Sequence, residues 1–418
     1  MSATAPRGSG STYRTGFVGL TRDLNRAAVL RLIATEGPIA RNGVARRLGL
    51  SPATVTSITR ELLDCGLVRV ADRAPSRGGR PALLLELVGG AATAFGAKVA
   101  PDHVVGVRVN LDGEALETFE QRLDLTKKTA SPQHIAEVLS KWVRASDGDS
   151  PLLGIGLGVP GVVDGGVVDS PILGWRRAEL SDALQERLRV PVLVDNDVNT
   201  LAIAERLYGR GHDADNFVTV TIGRGVGLGV VAAGDIYRGY RGGAGEFGHV
   251  TAVGNGPLCT CGKTGCLEAL VADPALVARG RAEGVLSQDD GVNRLIELAE
   301  AGNASARQIY ADAGRILGRH VADVVNVLSP QLVLISGEGT QAWIHLKAAF
   351  DRSFRSSVFP PLADVAVEID PWDDTKWAVG AATLVLRATF APSFEGVGPE
   401  TSLRAWLPAE APTAEVVG

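Results

Sequence analysis

Three cysteines and one histidine lie close together in a glycine-rich segment of the chain: His249, Cys259, Cys261 and Cys266. Three thiolates and an imidazole are the donor set of a closed Cys3His zinc site, in which four protein ligands leave no position for a catalytic water. The surrounding glycines and Pro257 indicate turns rather than a core strand or helix. We therefore predict a structural Zn²⁺ site in this loop. The alternatives are inert buried thiols, or a disulfide that cysteines two positions apart form only with strain.

Length and composition limit the class of protein in which this loop lies. A chain of 418 residues predicts more than one domain. It has no apolar run of about 18 residues that would predict a transmembrane helix, and its first 16 residues lack the apolar region of a signal peptide. Few cysteines, grouped for a metal, are typical of a reducing compartment. We predict a cytoplasmic protein with no membrane partner.

The net charge of −5 conceals an asymmetry along the chain. Residues 1–90 contain 13 arginines, no lysine and six acidic residues, so their net charge is +7. The remaining residues carry a net charge of −12. A basic segment on an acidic body indicates that only the first segment approaches a polyanion.

The N-terminal pattern predicts three helices followed by a basic hairpin. Apolar residues recur at helical spacing in residues 24–38 and 40–50, and Ser51 with Pro52 begins the third helix as its cap and first turn. This is the helix-turn-helix plan, whose last helix enters the DNA major groove, and the hairpin adds a wing that can place arginine in a minor groove. The alternative is a helical module that never meets DNA. The residues predicted to contact DNA are Ser51, Thr54, Thr56, Ser57 and Arg60 of the third helix, and Arg77, Gly79 and Arg80 of the wing.

From about residue 92 the pattern changes to strands that alternate with helices. Buried strands end in polar or glycine-rich loops, as in "GIGLGVPGVVD", "VLVDNDVN" and "VTVTIGRGVGLG". Such alternation predicts an α/β architecture. Two such halves with a cleft between them are a natural place for a small ligand.

These motifs, together with "YRGGAGEFGH" and the cysteine segment "GHVTAVGNGPLCTCGKTGCLE", resemble the ROK family of repressors, uncharacterised reading frames and sugar kinases. The resemblance extends from about residue 18 to residue 390. It implies a winged helix-turn-helix ahead of a two-lobed, actin-like sugar-kinase ATPase fold that carries the structural zinc loop. The domains we expect are a flexible tail over 1–17, a DNA-binding domain over 18–88, a sugar-binding domain over 92–390 and a flexible tail over 391–418.

The resemblance also implies which residues bind the sugar. Asp197 stands where the kinases of the family have their catalytic base, and it would have that role only if this chain is a kinase. The alternatives are that Asn196 and Asp197 only cap the following helix and that Glu268 is merely solvated. The predicted sugar-binding residues are Gly161, Asn196, Asp197, Glu246, His249 and Glu268, with His249 also a zinc ligand.

The predicted phosphate-binding loops depart from the kinase pattern. Lys98 stands where the kinases have aspartate, and the following Gly-Gly-Thr is replaced by residues 100–102, in which Pro101 removes an N–H donor and Asp102 adds negative charge. Arg224 and Glu338 replace a usual threonine and a frequent glycine. Ile172 stands where asparagine is frequent, which predicts an unusual sugar preference. We therefore do not expect ATP with Mg²⁺ to be a cofactor, nor the protein to be an enzyme.

These observations predict a sugar-responsive transcriptional regulator, a repressor of carbohydrate-metabolism genes. The predicted partners are a palindromic double-stranded DNA operator, a sugar or sugar-phosphate effector, and further copies of the chain in a homodimer or homotetramer. One alternative is an active, ATP-dependent sugar kinase of the glucokinase type that carries a DNA-binding domain. Another is a constitutive DNA-binding protein with a vestigial ligand domain.

Overall fold

The computed structural model describes residues 17–73, 82–123, 131–146, 148 and 150–389. These residues form two compact units: the first comprises residues 17–89 together with 387–389, and the second comprises residues 90–386. The predicted wing contacts Arg77, Gly79 and Arg80 lie outside the described residues, as do the predicted flexible tails apart from Phe17. Within the described part of the chain, no helix is both long enough and apolar enough to cross a membrane.

The N-terminal unit packs three helices against a small antiparallel sheet. Its elements, in chain order, are α1 (Phe17–Glu36), β1 (Ile39–Ala40), α2 (Arg41–Leu48), α3 (Pro52–Asp64), β2 (Val68–Arg73) and β3 (Leu83–Leu87). The strands lie in the order β1-β3-β2. The core is formed by fully buried apolar side chains, including Leu30, Val44, Val55, Leu62 and Leu85.

Local sequence explains the turn between α2 and α3. Gly49 ends α2 in the left-handed region, at a φ of 64°, where glycine has no Cβ penalty. Ser51 caps α3 because its side chain accepts a hydrogen bond from the N–H of Thr54 at 3.1 Å, and Pro52 occupies the first turn. The predicted helix-turn-helix and its wing strands are therefore present.

The second unit begins with a lobe built on a five-stranded sheet. Its elements are β4 (Thr93–Val99), β5 (His103–Asn110), β6 (Ala115–Arg122), α4 (Pro132–Ala145), β7 (Leu152–Val159), β8 (Val162–Asp164), β9 (Val167–Ser170), β10 (Trp175–Ala178), α5 (Leu180–Leu188) and β11 (Val192–Asn196). The order in the large sheet is β11-β7-β4-β5-β6. Strands β4, β5 and β6 are antiparallel, whereas β7 and β11 run parallel to β4.

A second lobe repeats this plan. Its elements are α6 (Asp197–Tyr208), β12 (Phe217–Ile222), β13 (Val226–Ala232), β14 (Asp235–Ile236), α7 (Glu268–Val271), α8 (Asp273–Ala282), α9 (Val292–Glu300), α10 (Ala304–Leu328), β15 (Leu332–Ser336), α11 (Trp343–Ser357), β16 (Ala366–Ile369) and α12 (Asp374–Thr389). The sheet order is β14-β13-β12-β15-β16, again with an antiparallel start and two parallel additions. The predicted α/β fold class of two similar lobes is confirmed.

Helix α12 follows the last strand of the second lobe but packs on the sheet of the first. Side chains at Gly96 of β4 and Gly156 of β7 would collide with the backbone of α12 at Ala378 and Ala381. Glycine at both positions therefore lets the helix lie directly on the two strands. This packing places Asp374, the first residue of α12, beside Lys98 of β4.

Candidate functional site

The structure brings the four predicted metal ligands together. One donor atom from each of His249, Cys259, Cys261 and Cys266 lies within 4.8 Å of all the others. His249 Nδ1 is 3.5 Å from Cys259 Sγ, and Cys261 Sγ is 3.7 Å from Cys266 Sγ. Gly265 supports this arrangement because, at a φ of 71°, any side chain there would strike the Val253 carbonyl. The four residues could hold a metal ion.

The chemistry of the cluster favours a cation. Burial, reinforced by the neighbouring Cys261 and Cys259 thiols, raises the pKa of Cys266 to about 12. Adjacent thiolates therefore repel one another unless a positive ion offsets their charge. Three sulfurs and one imidazole nitrogen in a small, closed set suit zinc better than harder cations.

Two predicted sugar contacts, Glu246 and Glu268, lie against this cluster. His249 turns Nδ1 toward the sulfurs and leaves Nε2 3.8 Å from Glu246 Oε2. Glu268 Oε1 lies 4.0 Å from Cys259 Sγ, and its Oε2 accepts a 3.2 Å hydrogen bond from the N–H of Val226. Burial raises the pKa of Glu246. An ion in the cluster would therefore orient all three side chains together.

Asn196 caps α6, which was the alternative to a sugar-binding role. It also contacts Gly161, another predicted sugar-binding residue. Its Oδ1 accepts hydrogen bonds from the N–H groups of Val198 at 2.9 Å and Asn199 at 3.2 Å. Its Nδ2 donates to the carbonyl of Gly161 at 2.9 Å. Since an amide nitrogen carries two hydrogens, the second is available to a ligand. Gly161 itself has a φ of 111°, and a side chain there would collide with the backbone of Asp169.

Asp197 is the first residue of α6, and its carboxyl has a shifted pKa. Burial raises its pKa to about 6, while the positive charge of Lys98 opposes the shift and the negative charge of Glu338 adds to it. Its Oδ1 accepts the N–H of Val198 at 2.9 Å. Such a carboxylate can accept a hydrogen bond from a ligand hydroxyl. It could also take a proton near neutral pH.

Asp195, which is not among the residues predicted from the sequence, connects the two groups of predicted sugar contacts. It is 5% exposed and accepts hydrogen bonds from Arg238 Nε at 2.8 Å and Nη2 at 2.6 Å. Its other oxygen accepts from the N–H of Asn196 and from Asn199 Nδ2. Arg238 lies in the loop that leads to Glu246. The only sequence signal was the first aspartate of "VDNDVN" and an arginine 43 residues later.

Six charged residues from both lobes meet at the turns predicted above to be phosphate-binding loops; we call them the inter-lobe charge network. Its members are Lys98, Asp102, His103, Arg224, Glu338 and Asp374. Arg224, in the β12–β13 turn, donates to both oxygens of Asp102, in the β4–β5 turn, at 2.5 and 2.7 Å. His103 lies between two carboxylates, with Nδ1 2.7 Å from Asp102 Oδ1 and Nε2 3.0 Å from Asp374 Oδ2.

Lys98 occupies the centre of this network. Its Nζ donates to Asp374 Oδ1 at 2.6 Å and lies 4.0 Å from Glu338 Oε1. Hydrogen bonds and the positive charges nearby hold the pKa of Asp374 at about 2, against the opposing effect of burial. The Glu338 carboxylate rests against Gly223, where any side chain would touch it. Four residues that depart from the kinase pattern therefore contact one another in pairs, Asp102 with Arg224 and Lys98 with Glu338.

The recognition helix α3 presents most of its predicted DNA contacts to solvent. Ser51, Thr56, Ser57 and Arg60 are exposed, and Thr54 is partly exposed. Val55, Ile58 and Leu62 on the opposite face are buried. The helix is fixed to α1 by Arg26, whose Nη2 donates to Glu61 Oε2 at 2.8 Å. The arrangement leaves one polar face of α3 free to enter a groove.

Comparison with known proteins places these features in a family. Residues 101–388 match the ROK family, and residues 22–69 match a winged helix-turn-helix DNA-binding family. The chain is 30% identical over 407 residues to the DNA-binding transcriptional dual regulator NagC of Escherichia coli, covering 91% of this chain and 96% of NagC. It is 30% identical over 319 residues to the xylose repressor of Bacillus subtilis, covering 75% and 82% of the two chains.

The same relationship holds in three dimensions. A solved ROK family transcriptional regulator, described as a homologue of the E. coli MLC protein, matches with a TM-score of 0.77 and 25% sequence identity. The match covers 89% of this chain and 98% of that one. The match of more than half of the chain to the family, the full-length relatives and the shared fold lead to one conclusion: this chain belongs to the ROK family.

Proposed function

We propose that the protein is a transcriptional regulator, acting as a repressor of carbohydrate-metabolism genes, that binds DNA and a small sugar and does not phosphorylate the sugar. The observation that carries this proposal is the combination of two units. A winged helix-turn-helix precedes a kinase-like unit whose phosphate end is filled by the protein's own ion pairs. The similarity to NagC and to a xylose repressor supports the same function.

We assign DNA binding to α3 and the wing. The exposed hydroxyls of Ser51, Thr56 and Ser57 and the guanidinium of Arg60 suit phosphates and base edges in a major groove. Thr54 completes this face, and the wing residues Arg77, Gly79 and Arg80 are assigned to the adjacent minor groove. A homodimer or homotetramer would present paired α3 helices to a palindromic operator.

We assign sugar binding to the polar groups at the ends of β7 and β11 and around the cysteine loop. Asp197 and Glu246 accept from hydroxyls, and the free amide hydrogen of Asn196 donates. Gly161, His249 and Glu268 complete the set. We assign Zn²⁺ to His249, Cys259, Cys261 and Cys266, where it would have a structural role and would hold His249 and Glu268 toward the sugar.

An ATP-dependent hexose kinase is the second candidate, because the raised pKa of Asp197, at about 6, suits a catalytic base. The inter-lobe charge network opposes it. Pro101 has no N–H to offer a phosphate, and Glu338 and Asp102 add negative charge where ATP would bring more.

Selection of bound fragments from a random DNA library tests the first candidate. We expect an inverted repeat to be enriched and its affinity to fall steeply with salt, since the contacts to phosphates release counterions. In parallel, an ADP-release assay with common aldoses should show no turnover. Turnover that disappears in Asp197→Asn would instead establish the kinase. Failure to enrich any DNA would refute the regulator.

A further inference from the structure

The inter-lobe charge network lies next to Asp197. Lys98 of β4 pairs in register with Gly158 of β7. A side chain at Gly158 would lie 3.4 Å from the Cα of Asp197. The charges of Lys98 and Glu338 also act on the Asp197 carboxyl, the first lowering and the second raising its pKa. Any group attached to a hydroxyl that Asp197 binds therefore meets the network.

The cations of the network are already committed to carboxylates. Lys98 is 6% exposed at its side chain, donates to Asp374, and lies 4.1 Å over the ring of Trp377. Arg224 uses two nitrogens on Asp102, and His103 is held between Asp102 and Asp374. A phosphate would have to displace one of these carboxylates to gain a cation.

The balance of charge is unfavourable to an anion. With His103 protonated, three cations face the three carboxylates of Asp102, Glu338 and Asp374. Asp197 adds a further acidic group, and so does Asp273, whose N–H donates to the carbonyl of Gly223 at 2.7 Å. The carboxylate of Glu338 lies against Gly223 and adds its negative charge to this turn.

We propose that the inter-lobe charge network makes this protein a receptor for an uncharged sugar and excludes the phosphate ester of the same sugar. The proposal rests on the proposed function, because it assumes that a sugar hydroxyl is bound at Asp197. It narrows the effector from sugars and sugar phosphates to neutral sugars. The carboxylates of the network already neutralise the cations that an incoming phosphoryl group would otherwise bind.

Paired ligands test this directly on the full-length protein. A thermal-shift screen compares glucose, N-acetylglucosamine, mannose, ribose and xylose with their esters phosphorylated on the terminal carbon. Calorimetric titration then measures both members of the pair that gives the largest shift. We expect the neutral sugar to bind at least tenfold more tightly than its ester. An ester that binds equally well or better overturns this proposal and leaves the regulator intact, whereas binding of neither member of any pair counts against the proposed function itself.

Variants then show whether the network is the cause. Glu338→Gln keeps the shape of the side chain and removes one negative charge, so it should narrow the preference for the neutral sugar at least fivefold by strengthening binding of the ester. Glu300→Gln, at an exposed position at the end of α9, is the matched control and should leave the ratio unchanged. Thermal unfolding confirms that both variants fold. An unchanged ratio in folded Glu338→Gln contradicts the proposal.

Discussion

Replacing Asp374 by asparagine should destabilise the second unit by about 2 kcal/mol at pH 7. Asp374 accepts hydrogen bonds from both Lys98 and His103. Its pKa falls from 3.8 to about 2, and each unit corresponds to about 1.4 kcal/mol of preference for the charged form in the folded protein. The substitution also leaves Lys98, which is almost fully buried, with Glu338 at 4.0 Å as its remaining ion-pair partner. Breaking a buried pair in this way costs at least as much as the shift indicates.

The sign of the pH dependence follows from the same shift. The folded-state pKa of Asp374 lies below its unfolded value. Its contribution to the free energy of unfolding is therefore complete above about pH 4 and disappears as the pH falls toward 2. His103 behaves in the opposite way. Its pKa is raised, chiefly by the hydrogen bond to Asp374. Its contribution to the free energy of unfolding is therefore complete below pH 6.5 and is lost at higher pH. Asp374→Asn should weaken both dependences.

Urea unfolding followed by tryptophan fluorescence reports mainly on the second unit, which contains Asp374. Residues 1–89 contain no tryptophan, and five of the six tryptophans lie in residues 90–386. Asp213→Asn, at an exposed loop position, is the control and should change the free energy of unfolding by less than 0.5 kcal/mol, the usual range for surface changes. A loss of less than about 0.5 kcal/mol in Asp374→Asn as well would refute the reasoning.

Three further predictions concern other parts of the protein. Arg60→Ala should weaken operator binding and lower the slope of log affinity against log salt by about one, whereas exposed Arg355→Ala should leave both unchanged in fluorescence anisotropy. Asp195→Asn should cost about 2 kcal/mol, measured by urea unfolding, because it removes the charge of a buried carboxylate that accepts two hydrogen bonds from Arg238; an unchanged midpoint would show that the pair does not hold the loop. Cys259→Ser should abolish bound zinc and lower the melting temperature, while Cys65→Ser, outside the cluster, should keep the metal content measured by emission spectrometry.

The parts of the structure that depend on neighbouring residues could be predicted from the sequence. Ser51 and Pro52 mark the start of α3, because a cap and a first-turn proline act within one turn of helix. The four candidate metal ligands lie within 18 residues, so turns alone bring them together. Alternation of strands and helices was enough for the fold class.

The contacts between distant segments could not be predicted in this way. Lys98 and Asp374 are 276 positions apart, and Asp102 and Arg224 are 122 apart. Each substitution in the phosphate loops was visible singly, but their pairing depends on how α12 and the two hairpin turns meet. Asp195 was missed for the same reason. Asn196 shows a different limit, because it caps a helix and still has an amide hydrogen for a ligand.

The most direct test of the central claim measures operator affinity with and without the sugar that the thermal-shift screen identifies. Fluorescence anisotropy of the selected operator should show at least a tenfold change in Kd when that sugar saturates the wild-type protein. Asp197→Ala should bind the operator with wild-type affinity and show no change at the same sugar concentration, because it lacks the carboxylate that holds the hydroxyl. A wild-type affinity that no sugar alters, or an Asp197→Ala protein that responds as the wild type does, would contradict the account.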